Sequence, residues 1–223
     1  IIYSFHPMID KSAFRIVSIG AGRLATNLIK ALHSVGYCVT QVYSRTETSA
    51  SELAATVGAS FTISLDEILL DADLYITSVS DTALVNLTDQ ITAGKQSGIF
   101  VHTAGSIPID VWAGHVQQYG VFYPMQTFSK ERVVDFTHIP VFLEANTPAV
   151  MDVLKEIALS LSDNVRELPS EKRRTLHLAA VFACNFTNHM YALAEKLLAR
   201  DGIPFDVMLP LTDETAAKVH TLS

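Results

Sequence analysis

Val17-Ser18-Ile19-Gly20-Ala21-Gly22-Arg23-Leu24-Ala25 decides the fold. The apolar run 14–19 reads as a strand, and Leu24, Leu28 and Leu32 behind it repeat at the spacing of a helix face. Strand, glycine turn and helix in that order suit the pyrophosphate of a dinucleotide. Gly20 permits the tight turn, Gly22 lets the backbone approach the phosphates, and Ala25 lets helix and strand pack closely. The helix N-terminus adds free N–H groups and the positive end of its dipole. A bare G-x-G-x-x-A match is weak. In this context, with a second strand beginning near Cys38, it is a dinucleotide fingerprint over Gly20, Ala21, Gly22, Arg23 and Leu24.

Roughly 20 residues beyond such glycines, an NAD-preferring site usually carries Asp or Glu to bond the ribose 2′-hydroxyl. Here the second strand, 39–43, ends in Ser44-Arg45-Thr46, with no carboxylate at its tip. Arg45 can stack on the adenine or pair with a 2′-phosphate, and the Ser44 and Thr46 hydroxyls can bond its oxygens. NADP is therefore favoured over NAD as cofactor. Glu47 is the counterweight, since a small shift of register would turn it inward.

Strands and helices go on alternating through residue 168, the pattern of a parallel sheet covered on both faces. The expected fold class is α/β, a doubly wound sheet followed by a smaller all-α domain. Ser64-Leu65-Asp66-Glu67 has the form of a capping box that opens a short helix. The strand 74–79 leads into Val79-Ser80-Asp81 at the carboxyl edge, where such sheets bind ligands; Ser80 and Asp81 read as helix caps, cofactor contacts or both. The next strand, 99–102, runs into Thr103-Ala104-Gly105-Ser106. This is either a plain turn before Pro108 or a loop whose small residues admit a nicotinamide ring to the backbone.

Pro169-Ser170 marks the expected boundary between a dinucleotide-binding domain, 1–168, and an all-helical domain, 169–223. In the second, 171–201 reads as one helix with apolar residues around most of its circumference, and only 205–223 is left to cover it. A homodimer through the C-terminal helices is expected. The chain stops at Thr221-Leu222-Ser223 within what reads as a helix from Asp213, so the natural protein is expected to continue.

With 223 residues, 49% of them hydrophobic, the chain has ample material for a buried core. A net charge of −7 and a single basic cluster, Lys172-Arg173-Arg174, argue against nucleic acid as a partner. Two cysteines, Cys38 and Cys184, suggest neither a disulfide framework nor a metal site and fit a reducing cytoplasm. His6 and Asp10 interrupt what would otherwise be the apolar core of an N-terminal signal. Within 176–198, His177, Asn185, Asn188, His189 and Glu195 would be costly in lipid, so no membrane partner is expected.

On the long helix His177, Val181, Asn185 and Asn188 fall within roughly a quarter turn, at ~100° per residue. If that face meets the nicotinamide, His177 can move a proton and Asn185 can orient a carbonyl or carboxylate. Equally, these side chains can satisfy one another in a helical interface. On the catalytic reading, a small-molecule substrate binds between the sheet edge at Ser80, Ala104 and Gly105 and the helix face bearing His177 and Asn185. His102, at a strand tip, is a second acid–base candidate. No metal-binding spacing or nucleophile elbow is present in the sequence, and hydride transfer needs neither, because the cofactor carries the reactive group.

The glycine stretch, Val79-Ser80-Asp81, His102-Thr103-Ala104-Gly105-Ser106, Tyr123-Pro124-Met125-Gln126-Thr127-Phe128, and the helix with His177, Ala180 and Asn185 together form a pattern that covers nearly the whole chain. It resembles the Rossmann-like NADP oxidoreductases whose C-terminal helical domain is of unknown function, relatives of pyrroline-5-carboxylate reductase and the β-hydroxyacid dehydrogenases. The resemblance implies a Rossmann domain, a helical dimerisation domain and a small C=O or C=N substrate. The β-hydroxyacid dehydrogenases carry a catalytic Lys four residues before an Asn. If Asn185 matches that Asn, the Lys position holds Val181, which cannot donate a proton. The pyrroline reductases manage without the Lys. The departure keeps a second reading open, that of an NADP(H)-responsive regulatory protein without turnover.

Overall fold

The computed structural model describes residues 9–95, 97–129, 132 and 134–221. The signal-sequence reading of 1–8 and the chain end at Leu222 and Ser223 lie outside the described residues. Two compact units divide the chain, 1–176 and 177–223.

The first unit alternates β1 (Arg15–Ile19), α1 (Arg23–Ser34), β2 (Cys38–Tyr43), α2 (Glu47–Val57), β3 (Ser60–Thr62), β4 (Leu74–Thr77), α3 (Asp81–Thr92) and β5 (Ile99–His102). It continues through β6 (Tyr119–Pro124), β7 (Val141–Ala145), α4 (Pro148–Leu159) and β8 (Val165–Glu167). The eight strands form one sheet in the order β3-β2-β1-β4-β5-β6-β7-β8. All pairings are parallel except β6 with β7, so β7 and β8 run opposite to the other six strands of the doubly wound sheet.

β1 is apolar on both faces because both are covered. Ile16 packs with Leu28, Ile29 and Leu32 of α1 and with Leu154 and Ile157 of α4. Val17 and Ile19 point the other way, among Tyr75, Leu84, Ile91, Phe100 and Trp112. There the Tyr75 and Phe100 rings stack with centroids 4.3 Å apart. Each such aliphatic side chain contributes about 1.5–3 kcal/mol by leaving water.

Two local readings need correction. Ser64 forms no capping box: its side chain makes no cap hydrogen bond, and the Thr62 hydroxyl accepts the Ser64 N–H at 3.0 Å and donates to Glu67 Oε2 at 2.6 Å. The segment Leu65–Glu67 is a single 3-10 turn. The second correction concerns the long helix, which runs as α5 (Ser170–Ala180), a π-helical stretch Val181–Phe186, and α6 (Thr187–Ala199). In a π-helix the backbone bonds span i to i+5. The α-helical arithmetic that put His177, Val181, Asn185 and Asn188 on one arc therefore does not run through this segment.

In the second unit α7 (Leu209–Lys218) comes after α6, and none of its described residues is buried. Phe182, Phe186, Met190, Leu193 and Leu197 are between 46% and 62% exposed. Among the described residues no helix is long and apolar enough to cross a membrane.

Candidate functional site

The turn after β1 is held from three sides. Gly20 N donates to the Tyr43 carbonyl at the end of β2 and Ser78 N donates to the Ile19 carbonyl, both at 2.8 Å. The buried Ser18 hydroxyl donates to the Gly20 carbonyl at 2.9 Å. Gly20 has φ +119°, and a Cβ there would lie 2.3 Å from the Ser78 carbonyl oxygen, so only glycine fits. Gly22 differs. It is the N-cap of α1 with ordinary extended backbone, and a Cβ there would meet no protein atom within 4 Å. Nothing in the protein's own packing asks for a glycine at 22, whereas a phosphate brought against the first turn of α1 does. Ala25, 1% exposed, closes the contact between α1 and the sheet.

In front of this turn lies an open cleft of about 520 Å³. Its lining unites Gly20, Ala21, Gly22 and Arg23 with Ser44 and Arg45 from the tip of β2 and with Val79 and Ser80 from the tip of β4. Leu24, Thr46, Asp81, Thr103, Ala104 and Gly105 are not in the lining. Two arginines and no carboxylate face the space. Glu47 is the first residue of α2, exposed and outside the lining. The Ser80 hydroxyl accepts the Ala83 N–H at 3.4 Å as the cap of α3, and the residue also lines the cleft. Tyr43, Ser49 and Ser78 also line it, and the sequence motifs do not single them out. Ser49 could be found by noting that the third residue of a helix starting at Glu47 faces back toward the strand tip.

From the cleft the carboxyl edge continues into the loop after β5. Thr103 Oγ1 donates to Ser78 Oγ at 3.0 Å, and Ser106 Oγ donates to Asp81 Oδ2. His102 is fully buried, and its Nδ1 accepts the Ala104 N–H at 3.2 Å, which leaves the ring proton on Nε2. Burial, aided by the positive charge of Arg173 and opposed by the Pro108 carbonyl, pushes its pKa down to about 3. The acid–base reading of His102 is thereby corrected: the ring is a neutral anchor for the loop. An unfolded His titrates near 6.5, so between about 3 and 6.5 the unfolded chain binds the extra proton. This contribution to stability is fully present above pH ~6.5 and drains away as the pH falls toward 3. Urea unfolding at pH 7 and pH 4.5 is expected to show a drop in stability that the His102→Gln variant lacks. An equal drop in both proteins would place the acid sensitivity elsewhere.

His177 and Asn185 belong to the second unit, His177 half-buried on α5 and Asn185 exposed within the π-helical stretch. Ser80, Ala104 and Gly105 belong to the first.

A mostly parallel sheet wound on both faces, a glycine turn between β1 and α1, and a cationic cleft at the strand tips define a Rossmann-type α/β protein. The chain belongs to the family that joins a Rossmann-like domain, matched over residues 6–124, to a domain of unknown function (DUF2520), matched over 139–223. Among solved structures, it is 58% identical to a protein of Bacteroides fragilis named as a putative NADP oxidoreductase. The match has a TM-score of 0.90 and covers 94% of this chain and 82% of that one. Two more distant structures share the fold. An imine reductase of Myxococcus stipitatus in complex with NADP+ is 20% identical, with a TM-score of 0.65 over 93% of this chain and 76% of that one. A 1-pyrroline-5-carboxylate reductase of Streptococcus pyogenes is 15% identical, with a TM-score of 0.66 over 93% and 78%. No curated protein matches the chain.

Proposed function

We propose that the protein is an NADP(H)-dependent oxidoreductase transferring hydride to or from a small C=O or C=N substrate. The observation that carries this is the cleft itself: a glycine with no packing reason to be one, at a free helix N-terminus, flanked by two arginines and no acid. The B. fragilis relative supports the oxidoreductase class by its name. The α1 N-terminus and Arg23 would hold the pyrophosphate, and Arg45 with Ser44 the 2′-phosphate. Bound there, the cofactor supplies or takes the hydride at its nicotinamide. In the reducing direction the electron pair of the C=O or C=N bond moves to the heteroatom as the carbon accepts hydride. We assign His177 to give that heteroatom its proton and Asn185 to orient the polar group of the substrate.

The cofactor assignment is tested by titration calorimetry. NADPH should bind at least tenfold tighter than NADH, a difference of about 1.4 kcal/mol, and Arg45→Ala should remove most of it. Equal affinities in the unaltered protein would end the NADP assignment. Turnover is tested by a screen of keto acids, imines and aldehydes with NADPH. Tight NADPH binding without turnover of any of them would favour the regulatory reading, to which Val181 in place of a lysine lends support.

The exposed apolar side chains of α6 and its π-helical neighbour support a homodimer formed through the second unit. Sedimentation equilibrium should give twice the chain mass; a monomer at micromolar concentration would remove that part of the proposal.

A further inference from the structure

The basic cluster Lys172-Arg173-Arg174 is not one surface patch. Lys172 and Arg174 are exposed, while the Arg173 side chain is 1% exposed. Its Nη1 pairs with Glu144 Oε2 on β7, and its Nη2 donates to the Ile107 carbonyl at 2.5 Å and to Ser170 Oγ at 3.1 Å. Ser170, the first residue of α5, donates its hydroxyl to Glu144 Oε2 at 2.7 Å and its N–H to Oε1 at 3.0 Å. The same hydroxyl accepts the Ile109 N–H at 2.9 Å. One strand, one helix start and the backbone of 107–109 are thus tied at a single point.

A buried ion pair is a poor source of stability, because desolvating both charges offsets most of their attraction, and apolar residues of similar volume often do as well. What a guanidinium offers that apolar packing does not is direction: its planar fork grips a carboxylate and a carbonyl along fixed lines. Here those lines run to the far end of the loop whose near end is held by Thr103 on Ser78, Ala104 on His102 and Ser106 on Asp81. Residues 104–106 thus run between the Thr103 hydrogen bond to Ser78 at one end and the Arg173 hydrogen bond to the Ile107 carbonyl at the other, at the carboxyl edge of the sheet.

We propose that Arg173, acting through Glu144 and Ser170, is a positioning residue that fixes the height of 104–106 against the nicotinamide. It sets the geometry of hydride transfer while adding nothing to the hold on the rest of the cofactor. The inference rests on the proposed function, in which the nicotinamide end of the cofactor lies along this edge. Preorganising a surface in this way acts on the reacting geometry, where small displacements change rate far more than affinity.

Three proteins test it: wild type, Arg173→Met, and Ser170→Ala, which keeps the ion pair and carries the test if the first variant does not fold. Hydrogen exchange read by mass spectrometry should accelerate about tenfold over 103–109 in Arg173→Met and less in Ser170→Ala, with 15–43 unchanged. The Kd for NADPH should stay within threefold of wild type, while the fluorescence gain of the bound nicotinamide falls by at least half. Unchanged exchange over 103–109, or a tenfold loss of NADPH affinity alongside the lost fluorescence, would overturn this inference alone. A wild-type protein that binds no NADPH would overturn the functional reading, and this inference with it.

Discussion

Gly20→Ala is expected to cost the protein a large part of its stability, and Gly22→Asp only its cofactor, although the two glycines are separated by a single residue. At Gly20 the left-handed φ of +119° and a Cβ only 2.3 Å from the Ser78 carbonyl oxygen act together. The conformation alone costs about 1–3 kcal/mol in a residue with a side chain. The overlap is with backbone pinned between β1 and β4, which cannot step aside without breaking the Ser78 to Ile19 hydrogen bond. A loss of at least ~3 kcal/mol in urea unfolding is expected, a large part of the 5–15 kcal/mol typical of a domain. Gly22 is an N-cap in extended backbone with open space before it, and aspartate is a favoured cap, so Gly22→Asp should leave stability unchanged or slightly raised. Its carboxylate would stand where the phosphates belong. NADPH affinity should fall about 100-fold, or about 2.7 kcal/mol. If Gly22→Asp binds NADPH as the parent does, the cleft is not the phosphate site.

His177→Ala is expected to slow turnover by about 10²-fold on whichever C=O or C=N compound the screen identifies, with NADPH affinity unchanged within twofold. The separation of the two effects is the point. A residue that moves a proton in the chemical step lowers kcat and kcat/KM together without touching cofactor binding. Asn185→Ala should raise KM more than it lowers kcat, as fits a group that orients the substrate and exchanges no proton. Full activity in His177→Ala would return His177 to a structural part on α5.

The glycine turn is legible because its requirements are local: a strand, two glycines two positions apart, and a helix face succeed one another within about 20 residues. Ser80 is legible as a cap for the same reason, and its neighbourhood at the strand tip puts it in the cleft. The line from His102 to Arg173 is not. Nothing in the sequence around Glu144 or Arg173 distinguishes a buried ion pair from solvated charges on an edge strand and a helix start, and the two lie 29 residues apart. Only the reversed β7 brings the carboxylate beside the first turn of α5. His102 misleads for a related reason, since a histidine at a strand tip reads as available until its burial and the neighbouring guanidinium are seen. The π-helical stretch Val181–Phe186 carries no sequence signal of the kind a proline or glycine gives, and so helix arithmetic runs across it unaltered.

The Glu144–Arg173 pair also constrains how this protein can change over generations. Replacing Glu144 alone leaves the buried Arg173 guanidinium without its partner, at about 3–5 kcal/mol, enough to remove much of a domain's margin, and replacing Arg173 alone leaves the half-buried Glu144 carboxylate without its cation. Replacing both with well-packed apolar residues costs little. The two positions are therefore expected to change together and not singly. A lineage that has crossed to the apolar pair will have surrendered the grip on Ile107 and can return only by regaining both charges at once.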